Sequence, residues 1–232
     1  MPHYRIKYHK KGPARYVSHL DLLRTFARAG RRAGLPLAFT QGFNPHPKIT
    51  FAAPLGVGIA GEGEFADIEL TGQMPAGVVR EALSASLPEG LEVLEARIII
   101  MPTKSLMAMV SRASYSGSAN LLRLLSQNEL EQSIRSFLDL PEIWVERRGK
   151  NKTAKIKNIR EGIFTFSGTI VDDMLTLEMD LKAGSSGNVR CEEVLGAFIK
   201  TGPIPVDGGF ILSRTGLYQA SENPPEKREL WQ

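Results

Sequence analysis

Residues 4–9 alternate aromatic or aliphatic with basic side chains, the period-two pattern of a half-buried strand. The period then changes. Ser18, with Asp21 three positions on, is a helix N-cap with an acidic third residue, and the helix it opens is predicted to reach about Ala33. Gly34 and then Pro36 mark its end. Leu22, Leu23, Phe26, Ala29, Gly30 and Ala33 make its apolar stripe. Arg24, Arg28, Arg31 and Arg32 follow i, i+4, i+7, i+8 spacing and so form one cationic ridge. Residues 37–40 and 49–53 are predicted strands around a loop over 41–48, and 65–70 alternates as a half-exposed strand does. Pro75 opens a second helix through about Leu87, and 91–101, with Ile98, Ile99 and Ile100, is a further strand. Strand, helix, two strands, helix, strand is the ferredoxin-like βαββαβ order, here over residues 1–101.

The order then recurs. A weak strand over 113–118 precedes a helix over 128–138 with Leu130, Ile134, Phe137 and Leu138 on one side. Strands are predicted at 143–147, 154–159, 163–171 and 174–181, with Asp172-Asp173 as a turn. A helix over 191–200 and a last strand over 210–218 follow. The expected fold is therefore α+β, two tandem ferredoxin-like domains at 1–101 and 110–219. The boundary falls near 102–109, and the Glu/Pro/Lys-rich tail 220–232 is expected to be disordered.

Charge sharpens this picture. The first 48 residues hold ten Lys/Arg and one acid, a balance of +9, while the other 184 hold 19 bases and 24 acids, a balance of −5. A second basic run comprises Arg147, Arg148, Lys150, Lys152, Lys155, Lys157 and Arg160, with no acid between its ends. Basic blocks favour polyanions, whether nucleic acid, an acidic protein face or anionic lipid; the plain alternative is a solvated face. Four like charges on one helix face repel one another unless something anionic meets them. A single cysteine, Cys191, excludes an internal disulfide framework, a four-cysteine zinc site and a self-ligated iron–sulfur cluster. No run reaches the ~18–20 apolar residues of a membrane span, and Met1-Pro2-His3-Tyr4-Arg5 does not begin a signal peptide, so a cytoplasmic protein is expected.

The most unusual stretch is Gln41-Gly42-Phe43-Asn44-Pro45-His46-Pro47-Lys48. Prolines fix φ on both sides of His46, and Gly42 permits a turn. Phe43 could stack on an unpaired base while Lys48 meets phosphate; equally, Phe43 could tuck into the core. Gln41, Asn44 and His46 complete the candidate reading surface, with the arginine ridge and the 147–160 run on phosphates. His19, Asp21 and His46 are the candidate acid/base residues, Asp21 as orienter. For His19 the alternative is a capping motif with an incidental ring. A zinc site from His3, His9, His19 and His46 has no ligand-spacing motif behind it, and no metal is expected. Gly56-Val57-Gly58 and Gly61-Glu62-Gly63 lack the strand-to-helix context of a phosphate loop and are expected in flexible hairpins. The Gly/Ser loop before Cys191 offers Asn188 and Arg190 as anion-binding candidates. Cys191 itself, next to Glu192 and Glu193, is expected to be structural.

The motifs Tyr16-Val17-Ser18-His19-Leu20-Asp21-Leu22-Leu23-Arg24, Arg31 through Pro36 and Gln41 through Ile49 resemble the bacterial family labelled radical SAM-linked protein, a domain of unknown function. Pro54 through Gly58, Phe65 through Leu70, Gly187 through Arg190 and the run ending at Arg160 fit its pattern too, so the resemblance spans nearly the whole chain. It implies a radical SAM protein as partner, and an RNA or ribosome-related setting. This chain lacks a Cys-x-x-x-Cys-x-x-Cys motif, so the iron–sulfur cluster and S-adenosylmethionine would belong to that partner. Tandem ferredoxin-like architecture is also shared with CRISPR RNA endonucleases and some pseudouridine synthases, an analogy of fold alone. The expected function is a noncatalytic RNA-binding accessory protein of a radical SAM enzyme. The alternatives are a protein-docking module without RNA specificity and an RNA-processing enzyme with a histidine acid/base.

Overall fold

The computed structural model describes residues 1–99, 104–148, 154–185, 187–202, 204–219 and 227–231. The fold is mixed α+β. In chain order come β1 (His3–Lys10), α1 (His19–Arg32), β2 (Ile49–Phe51), β3 (Ala60–Glu69), α2 (Ala76–Ser86) and β4 (Leu91–Ile99). Next are α3 (Leu106–Met109), β5 (Val110–Asn120), α4 (Gln127–Leu138), β6 (Trp144–Arg148), β7 (Ala154–Asn158) and β8 (Ile163–Val171). The chain continues through β9 (Met174–Lys182), α5 (Cys191–Thr201), β10 (Ile211–Gln219) and β11 (Arg228–Glu229). These fall into two compact units, Met1–Ser111 with Ser213–Gln232, and Arg112–Leu212. Among the described residues no helix is long and apolar enough to cross a membrane.

In the first unit β1 lies between β4 and β3 and is antiparallel to both. β2 pairs antiparallel with β3, while β10 runs parallel to it through Ser213↔Ala60 and Arg214↔Gly61, so the sheet is mixed. One face of β1 behaves as its alternation predicts: Tyr4, Ile6 and Tyr8 enter the core with Leu22, Phe26 and Ala29 of α1 and Val79 and Leu83 of α2. Phe26 meets Tyr8 edge-on at 5.0 Å and Phe51 at 5.5 Å. Burial of such a ring stabilises by about 1.5–3 kcal/mol, and the edge contact adds about 0.5–1.5 kcal/mol. The predicted cap of α1 is in place, with the Ser18 hydroxyl accepting from the Asp21 N–H at 3.2 Å.

The other face carries a buried charge. Arg5 is 1% exposed and donates twice to Asp67, at 2.7 and 2.8 Å, and once to the Leu230 carbonyl. Its cover is the C-terminal segment. β11 pairs with β10, Lys7 reaches Glu229 at 2.6 Å, Trp231 stands edge-on to Phe65 at 5.1 Å, and Arg97 lies over the Trp231 ring at 4.3 Å. The expectation of a disordered tail is thus overturned for 227–231, while 220–226 and 232 lie outside the described residues. Polar composition masked two apolar anchors, the fully buried Leu230 and the half-buried Trp231.

Other expectations also change. Gly61-Glu62-Gly63 is not a loose hairpin but part of β3, and the Glu64 side chain folds back over Gly61, where a Cβ would come within 2.7 Å of it. Residues 37–40 make only isolated bridges, Leu37↔Leu70 and Phe39↔Pro47, rather than a strand. The last strand, expected in a second domain over 110–219, belongs from Ser213 onward to the first unit.

The second unit has an antiparallel sheet in the order β5-β9-β8 and a separate hairpin, β6-β7. Its core joins Phe137 of α4, Phe166 of β8 and Phe198 of α5, with ring centroids 4.9–5.6 Å apart. Asp172 takes the positive φ of 56° that the predicted Asp172-Asp173 turn demands. Cys191 is buried, and desolvation, reinforced by Glu192, pushes its thiol well up, as fits a structural cysteine.

Candidate functional site

Arg24, Arg28, Arg31 and Arg32 all stand exposed on α1. Two have protein partners that leave them at the surface: Arg24 pairs with Asp21 at 3.0 Å, and Arg32 donates to the Ser86 carbonyl. The Ser18 hydroxyl, and then Arg24, hold the Asp21 carboxyl below the usual carboxylate range. Arg31 points toward the candidate loop, its guanidinium lying over the Phe39 ring at 5.6 Å. Phe39 bridges Pro47, the Thr40 N–H donates to the His46 carbonyl at 2.9 Å, and the His46 N–H donates to the Thr40 hydroxyl at 3.0 Å. The loop is therefore tied at its neck, beside the end of the ridge. At its tip Gly42 takes φ 123°, and Phe43 is fully exposed, so Phe43 does not enter the core. Gln41, Asn44 and His46 are exposed beside it. Lys48 instead turns back to Glu69, 2.7 Å away.

Three members of the second basic run are occupied within their own unit. Arg147 donates to both oxygens of Glu193 at 2.6 Å and to the Asn188 carbonyl at 2.8 Å. Lys157 donates to that same carbonyl, and burial together with the neighbouring Arg147 pushes its ammonium down. Arg160 donates to the carbonyls of Leu138 and Ile163. Lys155 is exposed; Arg148 ends β6, and Lys150 and Lys152 lie outside the described residues. The start of α5 is also provided for: Glu192 and Glu193 occupy its first turn, and Glu193 accepts from the Arg190 N–H at 3.3 Å and stands 4.0 Å from the Arg190 guanidinium. Carboxylates thus fill the place where Asn188 and Arg190 were expected to meet an anion.

The four histidines are not gathered. His3 faces Glu69 at 4.0 Å, His9 faces Glu92 at 3.7 Å, His46 is in the loop, and His19 packs edge-on to Phe51 at 5.6 Å. Among the described residues no group of three or more His, Cys, Asp or Glu lies close enough together to hold a metal. Asp21 bonds to Ser18 and Arg24 rather than to His19, so the expected acid/base pair is not formed.

His19 does line a small pocket whose polar residues sequence reasoning missed: Tyr8, Lys10 and Glu64, with Phe51 and the segment 52–55 around them. Glu64 and Arg214 are 3% and 1% exposed and form a two-point ion pair, and Arg214 also donates to the Ala53 carbonyl at 2.7 Å. Lys10 is 2% exposed and donates to the Val17 carbonyl at 2.8 Å. Burial pushes its ammonium down, partly opposed by Glu64. Burial and then Glu64 push the Tyr8 hydroxyl well up, so it stays a neutral donor. The sequence signal was Lys10 falling in step with Tyr4, Ile6 and Tyr8; Glu64 and Arg214, 54 and 204 positions further on, leave no local trace.

Among solved structures the chain is similar to a chain of the Cbf5-Nop10-Gar1 complex, with a TM-score of 0.50 at 11% identity over 94% of this chain. It spans half the length of that chain. A crystal structure of an unknown protein from Galdieria sulphuraria also matches, at 11% identity over 92% of this chain and 98% of that one, with a TM-score of 0.25. No curated protein matches. The profile of one bacterial family covers residues 3–191, a stretch that includes the arginine ridge, the tied loop and the buried pocket apart from Arg214. The chain belongs to that family, described as uncharacterized protein conserved in bacteria (DUF2344).

Proposed function

We propose that this chain is a noncatalytic RNA-binding protein that recognises a looped-out or single-stranded element for a radical SAM enzyme. One observation carries the RNA reading: a fully exposed phenylalanine at the tip of a loop tied at its neck, next to four exposed arginines on one helix face. An exposed ring offers a face on which any base can stack, worth about 1–3 kcal/mol per base, and guanidinium groups meet phosphates. The partner rests on the resemblance of the Ser18–Arg24 and Gln41–Ile49 motifs, and would supply the iron–sulfur cluster and S-adenosylmethionine. On the first unit the phosphate-contacting set is Arg24, Arg28, Arg31 and Arg32; on the second unit Lys155 is exposed, while Arg147, Lys157 and Arg160 are engaged internally. The antiparallel order β4-β1-β3-β2 supports a ferredoxin-like reading of the first unit, with β10 as an addition.

The test is retention of total small and ribosomal RNA across a salt series. Selective retention at ~0.15 M salt is expected, with log affinity falling against log salt by about −0.7 per phosphate contact. Changing Arg24, Arg28, Arg31 and Arg32 to Glu should abolish it. A flat salt response overturns the proposal, and no selective RNA together with tight pairing to the radical SAM protein turns the reading to protein docking.

A further inference from the structure

A second exposed ring stands at the other end of the arginine ridge. The helical period puts Leu20 in step with Arg24, Arg28 and Arg31, so the same face turns apolar toward the start of α1. Leu20 is 66% exposed, and Tyr16, four positions earlier, is 59% exposed. Exposed Val57 is tied to the same turn, because the Gly58 N–H donates to the Arg15 carbonyl at 2.9 Å. Large apolar side chains left in water together mark a contact surface, which a single one does not. The Tyr16 ring is also braced. The Arg15 guanidinium lies over it, 4.8 Å from the centroid, and donates to its hydroxyl at 2.6 Å. One face of the ring is thus backed by a cation and the other is left to solvent. Asp21, the acid of this stretch, already has its charge met by Arg24 and accepts from the Ser18 hydroxyl.

We infer that Tyr16, backed by Arg15, is a second base-stacking platform, and that the ligand is a single strand laid along α1 between Tyr16 and Phe43. Arg24, Arg28 and Arg31 would meet the phosphates on the way. The inference rests on the RNA reading and adds a length and a strandedness to it. The 14 residues of α1 measure about 20 Å, which at the ~3.4 Å rise of stacked bases corresponds to about six nucleotides. Bases inside a duplex have both faces covered by their neighbours, so two rings this far apart on one surface serve unpaired bases. Arg15 braces the tyrosine and places a charge beside the base that stacks there.

The experiment compares binding of unpaired RNA oligonucleotides of about three and about ten nucleotides to the full chain, lengths below and above the span of the two rings. The short strand reaches one ring at a time, so Tyr16→Ala or Phe43→Ala should each change its affinity by no more than about twofold. The long strand reaches both, and each substitution should weaken it about tenfold, the worth of one stacked base. Tyr16→Ala should leave the slope of log affinity against log salt unchanged, since no phosphate contact is lost, and Tyr16→Trp should keep the parent's affinity. Parent-like binding of the long strand by Tyr16→Ala, while Phe43→Ala weakens it, overturns this inference and leaves the RNA reading standing. Equal losses at both lengths also overturn it. So does parent-like RNA binding by Tyr16→Ala together with lost pairing to the radical SAM protein, which makes the patch a protein contact. No binding of either strand, with no RNA retained from the cell's pool, overturns the inference and the RNA reading together.

Discussion

Phe26 and Phe43 present the same ring to opposite surroundings, one fully buried beside Tyr8 and Phe51 and the other wholly in water. Their truncations should therefore part company. Phe26→Ala is expected to cost about 3–5 kcal/mol of stability, read from a denaturant melt. Phe43→Ala should leave that melt within about 0.5 kcal/mol of the parent while weakening RNA retention by about 1–3 kcal/mol. Equal destabilisation by the two would show that Phe43 packs in solution. The helical period made Phe26 legible as core, since it falls in step with Leu22 and Ala29. No period extends into the turn at Gly42, and a ring there was compatible with either fate. Lys10 was illegible for a different reason: whether a strand lysine is buried depends on what covers it.

Among elements, β11 shows how a two-residue strand can be held by side chains rather than by its ladder. Burial opposes ionisation of Glu229, but hydrogen bonds from Lys7 and Trp231 prevail and hold its carboxyl below the usual carboxylate range. A depressed native pKa means the contribution is complete above the unfolded value of about 4.3 and is lost as pH falls through the native one. Trp231 emission, followed in a Trp144→Phe background, should therefore show a step below about pH 4 that Glu229→Gln removes. The hairpin β6-β7 depends on the ion pair of Arg147 with Glu193, both largely shielded. Glu193→Gln should cost about 1.5–3 kcal/mol, as loss of charge-assisted bonds does. Sequence reading found both strands of that hairpin but assigned Arg147 to phosphate, because a run of like charges hides which members meet an acid 46 positions on.

At the scale of the molecule, the first unit is built around two buried ion pairs on neighbouring strands, Arg5 with Asp67 and Arg214 with Glu64. Removing one partner leaves the other charged and buried, so Arg214→Met is expected to cost about 3–5 kcal/mol. Arg214→Met combined with Glu64→Gln should recover part of that loss, and a double-mutant cycle measures the coupling. Element order was readable from hydrophobic period along most of the chain. Strand partnership was not: 211–219 looks like any alternating strand, and it is Arg214 meeting Glu64 and Ser213 meeting Glu62 that fix its place beside β3.

That placement bears on how the polypeptide is made. The residues that complete the first unit, Ser213 onward, are translated only after the whole of Arg112–Leu212. A nascent chain emerging from the ribosome thus carries Glu64 without its arginine and Arg5 without its cover until the stretch from Ser213 onward has been made. The second unit, continuous in sequence, has all its own strands by then and is free to fold first. Vectorial synthesis accordingly reverses the order in which the two units become complete, and moving 213–231 ahead of residue 1 by circular permutation would restore it.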